Sequence, residues 1–481
     1  MGEHSPITLK ATLSLTAQFG PGHEDEGPTM GQLGRIERDA ETLFGRADPE
    51  LVRFEPGTEG NRLLSVVCSH VNVPPGKFAQ SRRLSRMRGA KLFLNVRGND
   101  WYQRGVGGEF ASIDALIGAV GRLSEGFQHT HFIGHSMGAY LVLALAHSFD
   151  RAGQFLATSP EPVLGLPATR SRENKVTPMP GWADLFERFG RVAPKTPGVT
   201  LFGGYDAIDA LFLAGLDEAK GFYGQIAAVP HHHGVTEFLT ARRHYHPLLR
   251  APKRGLELVR QKGFAVDPAE IGSPAQFARF YEAYRQLRQV RIWRDTSLID
   301  EDPDWANPGW QALRAEGLRR AGVLDRALEA AMRADQACPG MPGYIRERAR
   351  ALIALGDQVG AEALAREMTE LGHTRLEPIQ DELVASGLIA KSGKPLALTS
   401  IRALERARKR ASAEGKLTEL ARRLLPHLAK LDEPRLTDAA FRVVVDAGLR
   451  RSALAAVRGR KTPGAAGLAR RIQSLLPEVS E

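Results

Sequence analysis

The stretch from His129 to Phe149, HTHFIGHSMGAYLVLALAHSF, decides how the rest of the chain is read. A β-compatible apolar run ends at Gly134, and a helix-compatible run of alanines and leucines begins at Met137. Between them lies Gly134-His135-Ser136-Met137-Gly138, a G-x-S-x-G pattern. A strand, a sharp turn with serine at its apex and then a helix is the arrangement that lifts a hydroxyl above a sheet. The flanking positions must be small, because bulky side chains there would strike the neighbouring strand and helix. Ser136 then sits at the positive end of a helix dipole, and the Met137 N–H points where an oxyanion would develop. The competing reading is a serine packed into a turn of a scaffold without chemistry.

On both sides of this stretch, short apolar runs alternate with helix-like segments. The runs are LLSVVCSHV (63–71), AKLFLNV (90–96), QFLAT (154–158), VTLFGG (199–204) and GQIAAV (224–229). SIDALIGAVGRLSEGF (112–127) is a clear amphipathic helix between two of them. Alternation of this kind predicts a mostly parallel sheet with helices on both faces, here over residues 61–255. Residues 1–60 are a polar extension, in which the alternation LKATLSLTA (9–17) predicts an edge strand. A proline-rich insertion, 161–198, has the place of a lid but not the broad apolar face of one built for lipid interfaces.

Past residue 255 the strands stop. Residues 256–300 read as a helical linker, and an internal repeat follows over 301–377. Trp310 and Tyr344, Gly322 and Gly356, and Ala327 and Ala361 are each 34 residues apart. An aromatic start, a central glycine and an alanine in the second helix at this period resemble tetratricopeptide repeats. Small residues would let paired helices approach, and neighbouring pairs would bury each other's apolar faces. Residues 378–481 stay helical but lose the period, as degenerate repeats, a cap or a generic bundle would.

Through the GHSMG elbow and the order of its elements, the region 61–250 resembles the α/β-hydrolase family. The implied fold is an α/β hydrolase sheet followed by an all-α helical-repeat domain. The resemblance implies an acid after a later strand and a histidine after the last one. VTLFGGYDAID offers Asp206, which follows its strand directly, with Asp209 in reserve; PHHHG offers His233, with His232 in reserve. Asp206 as a helix cap is the competing reading. The resemblance also implies a second oxyanion donor in the loop after LLSVVCSHV, from the N–H of Val71 or Asn72, since Pro74 and Pro75 have none. Asp100, Trp101, Tyr102 and Arg104, in a segment similar to one in bacterial hydrolases of glycan modification and accessory secretion, would line a pocket together with His135. Simple packing competes for Trp101 and Tyr102.

This pattern implies a serine hydrolase acting on an ester or thioester, either a small molecule or glycan-linked. Acyl transfer to a glycan and an inactive interaction scaffold are the alternatives. The helical repeats would dock a protein partner or form an oligomer. No cofactor is expected. Nor is a metal, because three adjacent histidines diverge and cannot easily converge on one ion.

Composition narrows the classes further. A chain of 481 residues exceeds one compact core, and 43% hydrophobic with 25% charged residues is an ordinary globular balance. Two cysteines, Cys68 and Cys338, exclude a disulfide framework and fit a reducing cytosol. No window is long and uncharged enough to span a bilayer, and no apolar leader opens the sequence, so a cytoplasmic location is expected. The net charge of +10 is read as solvated arginine on helix faces, because no aromatic residues interleave with the basic runs as nucleic-acid binding would require.

Overall fold

The computed structural model describes residues 38–58, 62–85, 87–290, 293, 295–371 and 376–389, with scattered positions between 408 and 444. The chain divides into two compact units between Arg288 and Gln289.

The first unit is built on a seven-stranded sheet. The elements that position the site are β1 (Val52–Glu55), β2 (Leu63–Cys68), β3 (Ala90–Leu94), α1 (Ile113–Glu125), β4 (His129–His135), α2 (Met137–Ser148), β5 (Gly153–Thr158), β6 (Gly198–Gly203), α3 (Ala207–Ala214), β7 (Gln225–Val229), α4 (Val235–Ala241) and α5 (Pro274–Gln289), with further helices between them. The spatial order is β1-β3-β2-β4-β5-β6-β7. Among the described strands only β1 is antiparallel; the other pairs run parallel. That is the mostly parallel α/β architecture the alternation predicts.

Sequence explains the layering. β3 and β6 are buried along their whole length, as parallel strands covered on both faces must be. β1 lies at the edge, where the Arg53 guanidinium covers the rings of Phe78 and Phe93 at 4.8 Å. Such a charge blunts an open edge against pairing with other chains. The expected edge strand at 9–17 lies outside the described residues; of the first sixty residues, Val52–Glu55 form β1. α2 is buried from Met137 to His147, so its lack of a polar face marks a core helix. α1 begins where the Ser112 hydroxyl accepts the Ala115 N–H, and it buries Leu116, Val120 and Leu123. Within 256–300, Leu256, Val259 and Ala265 share the core with Leu201, Val229 and Leu249.

The described part of the second unit is helical, and its longer helices are α6 (Pro308–Arg320), α7 (Leu324–Ala337), α8 (Pro342–Leu355), α9 (Gln358–Leu371) and α10 (Glu377–Ala385). Both α6 and α8 open on a proline, 34 residues apart, and α7 and α9 start with the same offset. Ala327 and Ala361 are fully buried, so close helix approach explains the alanines. The glycines have a different cause from the one expected. Gly322 and Gly356 have φ of +81° and +69° with open space where a Cβ would stand. They are left-handed residues that end the first helix of each pair. Of the stretch 378–481, α10 and the turn after it are described; the expected further repeats lie almost wholly outside the described residues. No helix among the described residues is long and apolar enough to cross a membrane.

Candidate active site

Ser136 is the turn between β4 and α2, with φ 54° and ψ −119°. A non-glycine residue in that region is strained by about 1–3 kcal/mol and persists only where its surroundings over-determine it. The surroundings are glycines. A Cβ on Gly134 would strike the Gly138 carbonyl, and one on Gly138 would strike the carbonyl of Cys68 on β2. The Ser136 N–H donates to Thr158 O on β5 at 2.8 Å, which fixes the apex over the carboxyl edge of the sheet. Ser136 is 2% exposed. Met137 opens α2, where a helix N–H has no intrahelical acceptor.

The last two strands bring the other groups. The histidine run follows β7, and its three members have different partners, although the ring centroids of His231 and His232 lie 4.1 Å apart. His231 packs against Phe238 with ring centroids 4.5 Å apart and the planes tilted by 36°. His232 accepts the Gly234 N–H at Nδ1, at 3.0 Å. His233 Nδ1 lies 3.3 Å from Asp209 Oδ1, and its ring centroid is 4.7 Å from that of His135, the neighbour of Ser136. His135 itself is fixed from Nδ1 to the Thr158 hydroxyl at 3.0 Å.

The two acidic residues after β6 have separate partners. Asp206 is the N-cap of α3, accepting the N–H groups of Ile208 and Asp209 at 3.0 and 3.1 Å. Both its oxygens also accept from Arg170 at 2.9 Å. Asp209, one turn further, is the residue that meets His233. Its other oxygen accepts the Ser159 hydroxyl and the Gly203 N–H, each at 2.6 Å. The structure therefore gives the reserve acid the place beside the imidazole and gives Asp206 the cap and the arginine.

Burial dominates the electrostatics. It raises Asp209, and the Asp206 charge adds to this, for a value of about 7 against the pull of Arg170, Ser159 and Gly203. Burial, then Arg170, holds His233 well below the ordinary histidine range. Burial would raise Asp206 as well, but Arg170 and then His233 outweigh it and the carboxyl stays acidic. Donor atoms of Asp206, Asp209 and His233 lie within 4.8 Å of one another, and the cation beside both carboxylates is the Arg170 guanidinium.

The remaining sequence candidates occupy the neighbouring loops. Asn72 gives its N–H to Asn99 Oδ1 at 2.9 Å, while the Val71 carbonyl accepts from His70 Nδ1 at 2.8 Å. The Asp100 carboxylate accepts the Tyr102 N–H at 3.0 Å, and burial raises its pKa. Trp101 and Tyr102 are fully buried with φ of 56° and 60°. The Tyr102 hydroxyl lies 3.0 Å from both Ser69 O and Leu94 O, tying the ends of β2 and β3 together. A cavity of about 240 Å³ lined by Leu43, Arg122 and Phe127 lies near the start of β4, at the opposite edge of the sheet.

Arg170, Ser159 and Glu161 belong to this site and were not singled out in the sequence. Ser159 had a signal, since it is the first residue after β5 at the carboxyl edge. Arg170 had none, because nothing local to the insertion says that it reaches α3.

No protein-family description matches the chain, and no curated protein does. Among solved structures it is similar to the apo form of Thermogutta terrifontis esterase 2, at 16% identity over 45% of this chain and 90% of that one, with a TM-score of 0.30.

Proposed function

We propose that the chain is a serine hydrolase of the α/β-hydrolase type that cleaves an ester or thioester. The observation that carries this reading is the strained Ser136 turn at the carboxyl edge, with a hydrogen-bonded pair beside it of Asp209, in the first turn of α3, and His233, after β7. Ser136 Oγ attacks the carbonyl carbon while His233 takes its proton. Asp209 orients the imidazole and stabilises the imidazolium that forms. The Met137 N–H, with a loop donor after β2 of which Val71 is the first choice, holds the oxyanion. His233 then hands its proton to the departing alcohol or thiol. Water, deprotonated by His233, cleaves the acyl-enzyme and regenerates the hydroxyl.

The 34-residue helical pairs are read as tetratricopeptide-like units for a protein partner or for self-association. One observation favours a scaffold without turnover: Ser136 is 2% exposed. A fluorophosphonate probe separates the readings. Labelling of the wild type that is lost in Ser136→Ala supports the hydrolase, and a folded protein that takes no label supports the scaffold.

A further inference from the structure

Two carboxylates separated by one helical turn cannot both stay charged in a buried site without a cation. Asp206 and Asp209 have one, and it comes from outside the sheet. Arg170 lies in the 161–198 insertion and donates to both oxygens of Asp206 at 2.9 Å, with Asp209 Oδ1 at 3.7 Å. The backbone that carries it is held on several sides. The buried Glu161 carboxylate accepts the Ser171 N–H at 3.1 Å and also the Ser171 hydroxyl. From α5, the Tyr281 hydroxyl donates to Pro167 O, and that of Tyr284 lies 3.5 Å from Glu173 Oε1. This is a built support for one guanidinium, which a surface ion pair would not require.

We infer that Arg170 is a positioning residue: by neutralising Asp206 it leaves Asp209 to act as the anion that holds His233. The insertion thus completes the acid–base pair by supplying the guanidinium. The role in catalysis rests on the hydrolase reading above; the charge arrangement does not. The charged and titratable groups around the pair are Arg170 and Glu161 from the insertion, Asp206 on α3, and His232 and His233 after β7. His135, the last residue of β4, and Glu237 on α4 face the imidazole. With Arg170 gone, Asp206 is uncompensated, and both Asp209 and His233 hold protons more tightly.

The test uses the full chain and three variants: Arg170→Met, Arg170→Lys and the double variant Arg170→Met/Asp206→Asn. Fluorophosphonate labelling rate is followed against pH, and the His233 imidazole is titrated by NMR after assignment with His233→Gln. Arg170→Met should move the acid limb and the His233 midpoint up by about one pH unit, a loss of about tenfold in labelling near neutrality. Arg170→Lys should recover most of it. The double variant, which removes the unpaired carboxylate together with the cation, should return both midpoints toward wild type. Wild-type midpoints in Arg170→Met would overturn the inference, as would a double variant no better than the single one. If Arg170→Met fails to melt cooperatively, the lysine and double variants decide by the same criteria. Failure of the wild type to label would count against the hydrolase reading alone, and the imidazole titration would still decide the role of Arg170.

Discussion

The elbow after β4 and the acid–histidine side after β6 and β7 are the two halves of the proposed site, and they are built on different principles. At the elbow, five consecutive residues contain their own explanation. Gly134 and Gly138 are small because backbone carbonyls stand where their Cβ atoms would go, and the same crowding holds Ser136 at φ 54°. On the other side nothing local decides. Asp206 and Asp209 sit three residues apart on one helix end, and their roles are assigned by Arg170, Ser159 and His233, all distant in sequence. Backbone sterics fix the first half; side-chain partners fix the second.

The contrast can be broken in several places. Asp209→Asn should cost the most, about 10⁴-fold in turnover of a short-chain p-nitrophenyl ester, because the imidazole loses its orienting anion. Asp206→Asn keeps the helix cap, since asparagine caps as well as aspartate, and should leave turnover close to wild type at mildly alkaline pH. Reversed outcomes for the two variants would return the acid role to Asp206. At the elbow, Gly138→Ala should destabilise the first unit by about 3 kcal/mol in urea unfolding, since the new methyl meets β2 backbone that has no side chain to move aside. An unchanged midpoint of unfolding would mean that the elbow is looser than drawn.

In the helical unit, Ala361→Leu should cost about 2 kcal/mol by overpacking α8 against α9 while fluorophosphonate labelling persists. Loss of labelling with the fold intact would show that the second unit supports the site. The smallest effect lies in the pH profile. In the proposed mechanism, turnover needs Asp209 charged and His233 neutral. His233 is depressed well below its ordinary value, so it is already neutral at neutral pH, whereas Asp209 is raised to about 7. The acid limb should therefore fall near neutrality, with about tenfold loss per pH unit below it. A limb confined to the ordinary carboxylate range would mean that Asp209 is solvated.

Legibility in the sequence followed the same divide. The parallel sheet, the central helix and the serine turn were readable because each rests on local periodicity and on glycines that sterics demand. Helix pairs at a 34-residue spacing were readable too, although the reason offered for Gly322 and Gly356 was close approach and their positive φ gives another. The acid of the proposed triad could not be told from sequence, because a helix cap and a buried orienting carboxylate look alike until their partners are known. Trp101 and Tyr102 read as pocket residues from their place after β3, yet both are fully buried and the tyrosine hydroxyl binds strand ends. Arg170 could not be found at all, since a lone arginine in an insertion has no pattern to betray its destination.

The central claim is that Ser136 is a nucleophile activated by His233. Mass mapping of the fluorophosphonate adduct on the full chain tests it most directly. The expected result is a single adduct on Ser136, absent from Ser136→Ala and much slower to form in His233→Gln. An adduct on another residue, or labelling as fast in His233→Gln as in the wild type, would contradict it.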